Sequence, residues 1–285
     1  MNGASGAAQR EISIPSGVPA LLRDLVHERT GLYFESNRLD LLIDKLRPRV
    51  EANRCPSYLD YYYLLKYERT GRQEWNRVMD AFSVQETYFW RELPHVRALV
   101  DHLVPAWFRR HERPLRIWSA ACASGEEPYT IAIALREAGW ADHPISIEAS
   151  DASEAALDQA RRAVYRERSF RALPPDLRAK YFDSPSPLGS RLRRELLPPI
   201  SLCRANLVEP AEIAPLAGAS VVFCRNVFIY FSPEAIRRTV ARIALAMPSG
   251  GHLFVGASES LLRLTQDFGL RQIGEAFAYE REAVP

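Results

Sequence analysis

The chain has 285 residues, 47% hydrophobic and 25% charged, with 20 prolines, 14 glycines and a formal net charge of +2. That is enough for one large or two modest domains with a buried core, and near-neutral charge argues against wholesale nucleic-acid binding. No stretch approaches roughly 18 uninterrupted apolar residues, which excludes a membrane span, and the four cysteines and six histidines form neither CxxC nor HExxH, so a disulfide framework or metal site is not expected.

Residues 1–17 are polar and small, lack the apolar run of a secretory signal, and read as a disordered tail. Residues 18–83 read as helix after helix. Leu39, Leu42, Ile43 and Leu46 recur at i, i+3, i+4 and i+7, as do Tyr58, Tyr61, Tyr62 and Leu65, and Trp75, Val78, Met79 and Phe82. Ser57 and Asp60 form a capping box after Pro56, and Gly31 and Gly71 supply stops. Pro48 is expected to kink or end the second helix.

After a further helical stretch over 94–109, short apolar runs alternate with helical segments, the mark of βαβ units on a mostly parallel sheet. The predicted strands are 115–120, 145–150, 200–205, 220–224, 252–256 and 276–280; the predicted helices are 128–138, 153–164 and 233–247. Residues 161–194 hold ten Lys or Arg against three acids, an excess of seven that exceeds the charge of the whole chain. With four prolines, this part reads as an inserted surface subdomain, about 163–199, or more plainly as a solvated loop.

The first strand's exit reads WSAACASGEEPYT over Trp118–Thr130. Its small residues make a tight strand-to-helix turn, which in doubly wound folds lies at the carboxyl edge of the sheet where ligands bind. A single glycine followed by Glu126 and Glu127 suits a pyrophosphate poorly, because acids at a helix start repel it. A cationic or zwitterionic ligand fits better; close packing with helix-terminal charges is the structural alternative. The second strand ends at Asp151, where a carboxylate accepts two hydrogen bonds from a ribose diol or caps the helix near Ser153. In the fourth strand Arg225 and Asn226 interrupt an apolar run. Burying them unpartnered costs on the order of several kcal/mol, so they face a ligand or find partners in the protein. Tyr230 brings a hydroxyl to the same edge. An earlier cluster, SVQETYFWRE over Ser83–Glu92, sets aromatic rings beside Arg91.

These four blocks, in this order and spacing, resemble the chemotaxis receptor methyltransferases, the CheR family, over residues 20–280. The resemblance implies an α/β, Rossmann-like S-adenosylmethionine-dependent methyltransferase domain at 84–285, with helices on both faces of a mostly parallel sheet and a small basic insert. A small all-α receptor-binding domain, 18–83, precedes it. The implied reaction is methylation of receptor glutamate side chains to γ-glutamyl methyl esters for sensory adaptation, with S-adenosyl-L-homocysteine as product and no metal. Carried over residue by residue, Gln85, Thr87 and Arg91 lie at the cofactor, with Ala121 and Glu127 beside its methionine part. Asp151 holds the ribose, Asn206 and Leu207 flank the adenine, Arg225 and Asn226 lie along the cofactor, and Arg91 and Tyr230 serve the transfer step. Gln85 stands where the family often has Asn and keeps the amide.

On the partner side, the resemblance implies that Lys45, Arg47, Arg49 and Arg54 meet the cytoplasmic helical bundle of a methyl-accepting chemotaxis receptor. It also implies that the insert docks the receptor's C-terminal peptide. A cytoplasmic monomer without nucleic-acid or membrane partners is expected. The chemistry needs no catalytic triad: a glutamate carboxylate, with a reference pKa near ~4.3, is already an ionised nucleophile at neutral pH. A base-methylating enzyme would carry Asn/Asp-Pro-Pro-Tyr/Phe where this chain reads Arg225-Asn226-Val227-Phe228. A catalytically silent scaffold is disfavoured by the intact Arg91, Glu127, Asp151, Asn226 and Tyr230.

Overall fold

A computed structural model describes residues 12–84 and 86–282 and resolves two compact units. One holds the described residues up to Glu28 together with Tyr33–Phe82; the other holds Arg29–Leu32 and those from Ser83 onward. Among the described residues no helix is long and apolar enough to cross a membrane.

The first unit is built from all but the last two residues of α1 (Val18–Thr30), with α2 (Leu39–Ala52), α3 (Tyr58–Tyr67) and α4 (Gly71–Phe82). The periodic apolar residues become its core: Leu22, Leu42, Leu46, Val50, Tyr58, Tyr61 and Val78 are at most 1% exposed. Ser57 opens α3 as read, its hydroxyl accepting the Asp60 N–H at 3.2 Å.

Three local expectations are corrected. Gly71 starts α4 instead of stopping α3, because a Cβ there would meet the Leu64 carbonyl at 2.6 Å and only glycine lets the two helices approach so closely. Helix α2 runs through Pro48 to Ala52. Pro48 and Asp44, whose carbonyl loses its N–H partner, both lie on the exposed face, where water replaces the missing bond. Of the expected tail, residues 1–11 lie outside the described residues, and the remainder is tied down: the Ser13 carbonyl accepts the Tyr58 N–H at 3.0 Å.

The second unit begins with α5 (Leu93–Arg97) and α6 (Val104–Arg110), joined by a wide helical turn over Ala98–Leu103. Pro105 has no N–H to close an ordinary turn, and the Val104 N–H reaches back to Leu99 instead. The strands are β1 (Leu115–Ala120), β2 (Ile145–Asp151), β3 (Val164–Tyr165), β4 (Ser190–Arg191), β5 (Ile200–Arg204), β6 (Val221–Cys224), β7 (His252–Phe254), β8 (Phe268–Ile273) and β9 (Ala276–Arg281). Between them lie α7 (Glu126–Glu137), α8 (Glu154–Arg162), α9 (Pro175–Tyr181), α10 (Pro210–Ala217) and α11 (Pro233–Ala246).

Seven strands form one sheet in the order β5-β2-β1-β6-β7-β9-β8, parallel except for β9. Side-chain alternation sorts the core onto two faces. Trp118, Val222 and Leu253 pack under α10 and α11; Ile117, Val221, Phe223 and Phe254 pack against α7 and the 93–110 helices. The chain leaves β1 toward β2 and β5, then returns to place β6 on the other side of β1. That reversal opens a crevice beyond the carboxyl ends of β1 and β6. β3 and β4 form a separate two-stranded antiparallel pair inside the insert.

Candidate active site

The turn after β1 is forced into unusual backbone. Ala121, Ala123 and Gly125 all have positive φ (56°, 48° and 93°), which explains the run of small residues. A Cβ on Gly125 would come within 2.8 Å of the Ala160 Cβ and 3.2 Å of the Tyr165 hydroxyl, so α8 and the insert close over it. Trp90, Glu92 and Asn226 are left-handed as well. Three of the eight described non-glycine residues with positive φ, Ala121, Ala123 and Asn226, thus line one crevice, where each costs roughly 1–3 kcal/mol that the surroundings must offset.

Six of the residues singled out in the sequence line this cleft together: Thr87, Arg91, Ala121, Glu127, Arg225 and Asn226. The empty volume within its lining, open solvent included, is about 470 Å³. Arg225 is its electrostatic centre, with a side chain only 3% exposed. Its Nε donates to Glu127 Oε2 at 2.7 Å, and Nη1 donates to the Arg91 carbonyl at 3.1 Å. Glu127 also accepts the Ser119 hydroxyl at 2.6 Å. The two adjacent acids therefore diverge. Glu126 does not line the cleft; it is buried and accepts hydroxyls from Ser124 (2.7 Å) and Ser169 (2.9 Å), and burial raises its pKa.

Arg91 crosses the rim, its Nη1 donating to the Glu86 carbonyl at 2.6 Å and its guanidinium 5.7 Å from the Tyr88 ring. The insert reaches the same loop through Arg171, which stacks 3.7 Å over Tyr88 and pairs with Glu86 at 2.6 Å. Asp151 is engaged by backbone N–H groups on both of its carboxylate oxygens. One oxygen accepts the Ser153 N–H (2.9 Å) and the other the Ala123 N–H (2.8 Å), joining the tip of β2 to the β1 turn.

Other expected site residues stand apart from the cleft lining. Asn206 and Leu207 follow β5 at the same sheet edge. Asn206 Nδ2 donates to the Arg29 carbonyl at 2.7 Å, and Leu207 is 5% exposed within the core. Tyr230 is 37% exposed on the turn after β6. Gln85 lies outside the described residues. Lys45, Arg47, Arg49 and Arg54 belong to the helical unit. Arg47 and Arg54 are exposed and Lys45 half-buried, but Arg49 turns inward, its guanidinium bidentate on Glu74 at 2.8 and 2.7 Å.

With this geometry in place, comparison with known proteins is decisive. Residues 85–277 match the CheR methyltransferase SAM-binding domain, and residues 20–83 match the CheR methyltransferase all-alpha domain. The chain belongs to the CheR methyltransferase family. The chemotaxis protein methyltransferase 2 of Vibrio cholerae is 32% identical over 260 residues, 90% of each chain. That of Pseudomonas aeruginosa is 34% identical over 245 residues, 85% of each. The chemotaxis protein methyltransferase of Salmonella typhimurium is 31% identical over 251 residues, 87% of this chain and 85% of its own.

The donor set fits S-adenosylmethionine: a carboxylate and a guanidinium in one cleft suit an amino-acid zwitterion, and Asp151 on the next strand suits a diol. Sequence reasoning missed Glu92. Its carboxylate accepts the Asn226 amide (3.3 Å) and the Ala257 N–H (3.2 Å), and lies 3.4 Å from both Arg225 Nη1 and His95 Nδ1. Burial alone would raise its pKa, but the bond with His95, the Arg225 charge, Ala257 and Asn226 outweigh it and hold the group at about 2. The signal was the second acid of the SVQETYFWRE block, at its end. Only the left-handed turn at Glu92 (φ 50°) brings that acid back to Arg225.

Proposed function

We propose that the protein is a protein-glutamate O-methyltransferase that esterifies glutamate side chains on methyl-accepting chemotaxis receptors. The observation that carries this reading is the Glu127–Arg225–Glu92 cluster: a buried cation held by two carboxylates and walling a cleft that also holds Arg91. S-adenosylmethionine supplies an electrophilic methyl group there. The receptor carboxylate is ionised at neutral pH, so it would accept that methyl group without proton transfer.

The chain's own residues hold the reactants in line and keep water from the carboxylate. Thr87, Ala121, Asp151, Asn206, Leu207 and Asn226 bound the cofactor in this reading. Arg91 orients the incoming carboxylate by charge-assisted hydrogen bonds, with the Tyr230 hydroxyl a weaker second donor. Lys45, Arg47 and Arg54 on the helical unit meet the acidic receptor bundle. The insert, with its β3–β4 pair and the exposed Arg166, Arg168 and Arg191, takes the receptor's C-terminal peptide by strand addition. Incubation with methyl-labelled cofactor and receptor-bearing membranes tests the proposal. Base-labile methyl esters on receptor glutamates are expected; label in alkali-stable form, or none on receptor, would refute it.

A further inference from the structure

The segment that leaves β6 carries Arg225, Asn226 and Tyr230 within six residues, and its backbone is strained at Asn226 (φ 58°). Such a segment keeps its shape only if something outside it fixes its N–H groups. Glu259, on the loop after β7, does so. Its Oε2 accepts the N–H of Asn226 at 2.8 Å and of Gly256 at 2.5 Å, and its Oε1 accepts the N–H of Ile229, next to Tyr230, at 3.2 Å. The fit leaves no slack. A Cβ on Gly256 would stand 2.4 Å from Asn226 Nδ2 and 2.9 Å from Glu259 Oε2, so residue 256 is glycine where the Asn226 amide lies against its backbone. Glu259 does not line the cofactor cleft; its carboxylate works on the backbone behind it.

We propose that Glu259 is a positioning residue for methyl transfer, setting Asn226 for cofactor binding and, through Ile229, Tyr230 for the reacting carboxylate. This rests on the reading given under Proposed function. Glu92 and Glu259 then divide the labour: Glu92 holds the side chains of Arg225 and Asn226, and Glu259 holds the backbone between them and Tyr230. A glutamine at 259 keeps the size but loses the charge, and turns an N–H toward at least one N–H it should accept.

The test uses the full chain. Wild type, Glu259→Gln and Glu259→Asp are titrated calorimetrically with S-adenosylhomocysteine and assayed for methyl transfer, with melting temperature recorded. Glu259→Gln is expected to raise Kd and lower kcat by about 10–100-fold each, the range for lost supporting hydrogen bonds, with stoichiometry near that of wild type. Glu259→Asp, which keeps the charge but is one methylene short, should fall between the two. Kd and kcat within twofold of wild type overturn the proposal. So does a loss confined to stoichiometry or melting temperature, or insolubility of both variants, since each assigns Glu259 to folding alone. A wild-type protein that binds no S-adenosylhomocysteine instead refutes the methyltransferase reading beneath it.

Discussion

Arg91 and Arg225 illustrate two uses of one side chain. Arg225 is held between Glu127 and Glu92 through Nε and Nη1, with a side chain only 3% exposed, whereas Arg91 sits half-exposed at the rim with one nitrogen on a carbonyl. Arg91→Ala is therefore expected to lower kcat on the order of 10²-fold, and Tyr230→Phe by about tenfold, in a methyl-transfer assay. Near-wild-type turnover in both would remove those assignments. Glu92 makes the protein sensitive to acid. Its carboxyl is held at about 2 when folded, against an ordinary value of 4.5, so its contribution to stability is whole above pH 4.5 and lost as pH falls toward 2. In melting curves taken from pH 7 down to about pH 3, Glu92→Gln should be less stable at neutral pH and lose stability less steeply below pH 4.5. An acid limb as steep as that of wild type would show that other groups govern it.

At the scale of elements, Arg49 separates structural from exposed charge on one helix. Tyr61 and Glu74 lie inside the helical unit, and the Tyr61 hydroxyl donates to Glu74 at 2.7 Å while Arg49 takes both carboxylate oxygens. Arg49→Ala leaves that carboxylate buried without its cation. The expected cost in urea unfolding is about 3 kcal/mol, the low end for buried pairs because Arg49 is 23% exposed, with cofactor affinity unchanged. Unaltered stability would return Arg49 to the exposed set.

What the sequence revealed follows the same division. β1, β6 and β7 are legible because each is largely buried on the sheet and reads as an apolar run. β8 is missed because most of its residues are exposed or half-exposed and keep no apolar period; α10 is missed because Pro215 stands inside it. The site divides likewise. Arg225 announces itself as a charge in an apolar strand that needs partners. Those partners, 98 and 133 residues away, depend on a left-handed turn that no local pattern encodes.

For the whole molecule, the charge map is uneven: ten basic residues fall in 161–194 while the chain sums to +2. Several are already balanced inside the unit, Arg178 by Glu167, Arg193 by Asp183 and Lys180 by Glu137. In the proposed reading, receptor encounter through the remaining positive charge is a screened, long-range effect, with a Debye length of about 8 Å at physiological salt. Association with receptor-bearing membranes should slow markedly between about 0.05 and about 0.5 M salt, and a Lys45, Arg47, Arg54 to Gln triple variant should flatten that dependence. A salt-independent association rate would contradict electrostatic steering.

The sheet's final strand also sets an order of events. β9 does not extend the edge; it slots between β7 and β8, both made earlier. A nascent chain released short of residue 276 carries two raw strand borders in place of one finished seam, and such borders invite pairing with a neighbouring chain. Completion of the seven-stranded sheet thus waits on residues 276–281, and a chain cut just short of them would be a sticky fragment instead of a slightly shorter unit.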